Sequence, residues 1–146
     1  MPRRRGRSSR RTTQTRKILL GDPGANVKRD LDLIRKMLLA VEEAPSGWAP
    51  DLKFEGFADA QVNYHAYLLI DAGLARGADV TTHGSEGPEA ILQSLTWEGH
   101  EFVEAARDET RWQKAKGLVA EKGGGITLDV LKALLVSLAK SALGLP

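Results

Sequence analysis

Apolar residues recur at helical spacing in four stretches of the chain, and three others read as strands. Leu31, Ile34, Leu38 and Val41 form one stripe, widened by Leu33 and Met37, and predict an amphipathic helix beginning near Lys28. Asp30 and Asp32 fall in its first turn, where the positive end of the helix dipole favours acids, and Asp32 and Lys36 are spaced for an i,i+4 pair. Residues 44–50, APSGWAP, stop this helix with two prolines and a glycine. Leu52-Lys53-Phe54 alternates and predicts a short strand. A second helix is predicted from about Asp59 to Ala72. Val62, Ala66, Leu69 and Gly73 share its inner face, His65 lies at the border, and Ala60, Tyr64, Tyr67 and Asp71 face away. Gly73 supplies a left-handed stop. Ala75–Thr82 and Ala90–Leu95 read as two strands joined by a Gly-rich loop, a hairpin. Thr96 caps a third helix along which Gly99, Phe102, Val103, Ala106, Thr110 and Gln113 share one side, before Gly123-Gly124-Gly125 breaks the chain. Thr127 caps a last helix with Leu128, Leu131, Leu134, Leu135, Leu138 and Ala142 on one broad face.

This order predicts an α+β protein on the winged-helix plan. One helix packs behind a second, which abuts a two-stranded wing, and the usual remaining helix is reduced to a turn around residues 54–58. The expected organisation is a basic tail and linker over 1–27, a winged-helix-like core over 28–96, and a C-terminal helical extension over 97–146. No internal repeat is present.

Charge sharpens the division. Among the 146 residues, 1–26 carry eight Lys or Arg and one Asp, a net +7, whereas 27–146 carry thirteen basic and eighteen acidic side chains, a net −5. The tail, MPRRRGRSSRRTTQTR, has too few apolar residues to bury a core and is expected to be disordered. The absence of cysteine removes disulfides, thiolate nucleophiles and Cys-based zinc sites. No apolar run approaches the roughly 20 residues that span a bilayer, and no secretory core follows the basic N-terminus. A cytoplasmic location is expected.

Four segments in order resemble the prokaryotic family DUF2513: KRDLDLIRKMLLAVEE (28–43), VNYHAYLLIDAGL (62–74), LTWEGHEFVEAARDETRWQKAK (95–116) and GGITLDVLKALL (124–135). The resemblance implies a winged-helix-like fold and an association with phages and mobile elements. It implies no activity and no catalytic residue. Members of the family usually begin Met-Lys-Arg-Asp, and here Val27-Lys28-Arg29-Asp30 stands in that place. The resemblance therefore carries the expectation that translation starts at Val27, at a GUG codon.

Duplex DNA is read chiefly by Arg or Lys to guanine and by Asn or Gln to adenine. The helix at 59–72 has neither Arg nor Lys, and only Gln61 and Asn63 could read a base. Asp59 and Asp71 repel phosphates, and the wing offers Arg76 among Asp79, Glu86 and Glu89. Lys28 and Arg29 add cations at the start of the core. The bland alternative is a structural helix with an exposed patch at Tyr64 and Tyr67. The Arg-rich tail reads as a phosphate-binding arm or as an inert tail. His100-Glu101-Phe102-Val103-Glu104 begins like a zinc-protease helix but has Glu where the second His is needed, and the triple glycine lacks the Lys and Ser/Thr of a phosphate loop. No metal, cofactor or enzymatic activity is expected. The leucine face of the last helix must be covered. It either folds back on its own domain or pairs with a second copy as a homodimer; membrane binding is disfavoured by its sparse Lys and Arg.

Two functions remain open. The first is a DNA-binding or regulatory protein of phages and mobile elements. The second is a protein-interaction module on the same scaffold that does not touch DNA. Gln61, Asn63, Tyr64, Tyr67, Arg76, Lys28 and Arg29 are the residues on which either would rest.

Overall fold

The structure, a computed structural model, describes residues 28–45 and 52–146. The expectations placed on the Arg-rich tail, and the end of the APSGWAP stop, lie outside the described residues. Among the described residues, five helices and one two-stranded antiparallel sheet follow in order: α1 (Leu31–Glu43), α2 (Asp59–Asp71), β1 (Ala75–Asp79), β2 (Ala90–Leu95), α3 (Trp97–Ala106), α4 (Glu109–Glu121) and α5 (Leu128–Ala142).

Helix α1 begins at the cap Asp30, whose carboxylate accepts from the Leu33 N–H at 3.0 Å. Asp30 is therefore a cap, and Asp32 alone is the first-turn acid. The predicted stripe is buried, with Leu33, Ile34, Met37, Leu38 and Val41 inside. No strand forms at 52–54; a turn at 55–57 leads into α2. This short alternating segment has no sheet partner, and an unpaired strand gains no ladder hydrogen bonds.

Helix α2 ends in a Schellman motif. Gly73, at φ +77°, donates to the Ile70 carbonyl, and Leu74 donates to that of Leu69, both at 3.0 Å. The hairpin pairs Ala75 with Leu95 and Asp79 with Ala90, with a register shift between Arg76 and Gly77. It buries Ala75, Ala90, Leu92 and Leu95 and leaves the rest of β1 exposed. The first strand is shorter than predicted and stops at Asp79.

The predicted long third helix is two helices. It breaks at Arg107-Asp108, where the Asp108 carboxylate caps α4 by accepting from the Arg111 N–H at 2.7 Å. The carbonyls orphaned at the end of α3 are taken by Arg35. Its Nε donates to Ala106 O at 2.7 Å and its Nη2 to Arg107 O at 2.9 Å. The break is what turns Trp112 inward. In one continuous helix it would lie far from the Phe102–Ala106 stripe, but here it is fully buried and meets Phe102 edge-on, centroids 6.5 Å apart. Thr110 and Gln113, assigned to that stripe by spacing, are exposed.

One hydrophobic cluster draws on every element. Helix α5 packs on α3 and α4, with Leu131 and Leu135 fully buried and Leu128, Leu134 and Leu138 partly so. The leucine face is thus covered by the chain's own domain.

Candidate functional site

The surface where sequence reasoning places a site is the outer side of α2 together with the hairpin beside it. Its inner side explains its orientation. His65 is completely buried, deeper than a border position. Its Nε2 accepts the Asp30 N–H at 2.8 Å, and its Nδ1 lies 2.8 Å from the Gln61 carbonyl. A backbone N–H can only donate and a carbonyl can only accept, so the ring is the Nδ1–H tautomer. The histidine joins the start of α1 to α2 and leaves neither nitrogen for a metal or a proton transfer.

On the outer side, Tyr64 and Tyr67 are half-buried and stack with rings 13° apart and centroids at 6.5 Å. Asn63, one of the two candidate base readers, donates to the Glu89 carboxylate at 3.0 Å. Glu89 also accepts from the Ser85 hydroxyl at 2.6 Å, so its carboxylate straps the hairpin loop to α2. Thr81 closes the base of that loop and, through its hydroxyl and N–H, holds the Asp79 carboxyl below the ordinary range. Arg76 donates from Nη1 to the Leu95 carbonyl at 3.0 Å. Gln61 alone among the polar candidates keeps its side-chain amide out of any hydrogen bond with the described residues.

Lys28 and Arg29 are exposed ahead of α1. Arg29 donates to the Ile126 carbonyl at 3.1 Å, in the connection to α5, and so turns toward the C-terminal helices. The structure brings Asn63, Tyr64, Tyr67 and the hairpin together and directs Arg29 elsewhere. Asp59, Asp71, Asp79, Glu86 and Glu89 all belong to α2 or the hairpin and its loop. At the start of α2, Lys53 stands 3.8 Å from Asp59.

Two polar clusters escaped sequence reasoning. Asp32 does not rely on Lys36: its carboxylate accepts from Trp112 Nε1 at 2.8 Å and from Lys116 Nζ at 2.7 Å. Burial pushes this carboxyl up, but the bonds from Lys116 and Trp112 and the charges of Lys116 and Lys36 outweigh it, and the net shift is downward. Arg35 lies over the same Trp112 ring, 5.5 Å from its centroid, and reaches Glu109 at 3.4 Å. In the other cluster Arg107 bridges Glu42 at 2.8 Å and Glu104 at 2.6 Å, contacts that raise its already high pKa. Only the helical i,i+3 spacing of Glu104 and Arg107 was visible in sequence. His100 stands 3.9 Å from Glu42, yet among the described residues no group of three or more His, Cys, Asp or Glu is placed to hold a metal. Among the same residues no helix is long and apolar enough to cross a membrane.

The four resembling segments meet one another. Segment 28–43 joins 62–74 through Asp30 and His65, and joins 95–116 through Asp32, Trp112 and Lys116. Segment 62–74 joins 95–116 where Thr96 donates from its hydroxyl to Gly73 O at 2.6 Å and from its N–H to Leu74 O at 3.1 Å. These hydrogen bonds tie the segments together in the fold.

The family model described as Hypothetical protein (DUF2513) matches residues 28–125. An uncharacterised protein of Haemophilus influenzae is 37% identical over 109 residues, which cover 73% of this chain and 90% of that protein. No solved structure matches the chain. The family match takes in α1 to α4 and stops just short of α5.

Proposed function

The chain belongs to the DUF2513 family, and from that premise we propose that it is a protein-interaction module on a winged-helix-like scaffold, with the outer side of α2 and its hairpin as the docking surface. One observation carries this reading. The stacked Tyr64–Tyr67 pair lies on a helix without Arg or Lys, and of the polar candidates beside it Asn63 is spent on Glu89 and Arg76 on Leu95 O, which leaves Gln61 as the one free base reader among the described residues. Affinity for duplex DNA comes largely from neutralising phosphates, and a folded part of net −5 opposes it. Amphipathic tyrosines with a rim of carboxylates suit a protein partner that presents cationic and apolar side chains.

A second reading, a DNA-binding regulator of phages or mobile elements, is favoured by the +7 of residues 1–26, which would supply phosphate contacts without sequence preference. Fluorescence anisotropy with random duplex DNA across a salt series shows whether the α2 and hairpin surface, or only the tail, binds DNA. The full chain is compared with a variant whose tail arginines are replaced by serine. The expected result is binding by the full chain alone. Binding retained by the variant, with a salt slope of several phosphates, would overturn the interaction reading. Tyr64→Ala with Tyr67→Ala is expected to keep the fold and lose partners recovered by cross-linking in the native host.

A further inference from the structure

Helix α5 has a second face. Its leucines turn inward, and a shallow groove of about 550 Å³ runs along the opposite side, lined by Asp129, Ala133, Val136, Lys140 and Leu145 among others. Asp129, Ala133, Val136 and Lys140 follow the alternating four- and three-residue steps of a helix–helix seam. All four are exposed, Val136 at 36%, and the adjoining Val130 and Leu145 are exposed at 55% and 54%. Neither Asp129 nor Lys140 has an ion-pair partner among the described residues.

We propose that this face is a self-complementary docking surface for a second copy of the chain, two α5 helices crossing antiparallel about a two-fold axis. The chemistry of the stripe is what selects a second copy. Its residues are placed symmetrically about a point between residues 134 and 135, close to the middle of the helix. Reversing one copy on another sets Asp129 against Lys140 at both ends, and the larger Val136 against the small Ala133 at the centre. An isologous interface requires this reciprocity, each position meeting its mirror position and not itself. The acid lies in the first turn of α5 and the lysine in its last, so the dipole of its own helix favours each charge where it stands. The face is independent of the α2 surface.

The test is sedimentation velocity of the full chain over a concentration series, with circular dichroism of each variant to verify folding. The wild type is expected to self-associate as a dimer. Asp129→Lys alone, or Lys140→Asp alone, turns two attractive contacts into two repulsive ones and is expected to raise the dimer dissociation constant at least tenfold. An equimolar mixture of the two single variants restores complementarity at both ends and is expected to dimerise as a heterodimer. So is the double variant with itself. Val136→Glu is expected to abolish association while Leu131 and Leu135 keep the helix docked. A wild type that stays monomeric to millimolar concentration overturns the proposal. So does a dimer that both single reversals leave unchanged, or a mixture that fails to recover.

Discussion

Gly99 and Gly117 both lie inside helices, and replacing each with alanine should have opposite consequences. Helix propensity alone favours alanine at both, by up to about 1 kcal/mol. At Gly117, exposed on α4, an added Cβ would meet nothing within 4 Å, so Gly117→Ala should stabilise the protein by roughly 0.5–1 kcal/mol. At Gly99 the same atom would stand 1.9 Å from the Leu74 carbonyl oxygen and 3.3 Å from Leu95 Cβ. Neither neighbour is a flexible side-chain end. The first turn of α3 rests directly on the chain leaving α2, and the Leu74 oxygen already accepts the Thr96 N–H at 3.1 Å. Moving it by more than an ångström costs about 1–3 kcal/mol of overpacking and roughly 1 kcal/mol for the disturbed hydrogen bond. Less the propensity gain, Gly99→Ala should lose about 2 kcal/mol, or on the order of 8 °C in Tm for a domain of this size. Urea denaturation followed by circular dichroism and by fluorescence, to which the buried Trp112 contributes, measures both variants. If Gly99→Ala is as stable as Gly117→Ala, the backbone contact between α2 and α3 is not what demands glycine, and the reasoning fails.

Three further outcomes are expected. The Asp32 carboxyl is held below its ordinary value of about 3.9, so its contribution is present above that pH and fades as pH falls through the depressed folded value. Asp32→Asn should therefore flatten the loss of urea midpoint between pH 5 and 2.5, and parallel curves for the two proteins would refute the linkage. His65→Phe strands the Asp30 N–H and the Gln61 carbonyl and should cost about 1–3 kcal/mol. In the wild type, nitrogen NMR should find His65 protonated on Nδ1 and bare on Nε2, and the reverse would contradict the assignment. Trp112→Phe keeps most of the buried ring but removes the bond to Asp32, so a loss of about 1 kcal/mol is expected, and that loss should shrink when Asp32 is already Ala, which has no acceptor for the indole N–H.

The acidic, tyrosine-bearing side of α2 was legible as a surface because its residues recur every three to four positions opposite an apolar stripe. Its chemistry was less so. Asn63 and Arg76 look like readers of DNA in sequence because Asn and Arg make such contacts elsewhere, but a side chain's availability depends on what folds beside it. Glu89, 26 positions from Asn63, takes one, and the Leu95 carbonyl takes the other. Arg29 similarly finds Ile126 across 97 positions. No local pattern encodes such pairings.

What the sequence determined by itself is the set of features that close within a few residues. Thr96 and Thr127 cap their helices as their side-chain chemistry requires, Gly73 ends α2 in the left-handed conformation, and α1 buries the stripe its spacing announces. Tertiary structure decided the rest. Arg35 satisfies the carbonyls at the end of α3, and with the cap at Asp108 this lets one apparent helix break in two and turns Trp112 into the core. Asp32 is drawn to Lys116 and Trp112 across the domain, where partial burial and a fixed geometry make the pair stronger than the flexible i,i+4 contact with Lys36. The physical reason is common to all these cases: a buried polar group must be satisfied by whatever packs against it, and only the assembled fold brings that partner within reach.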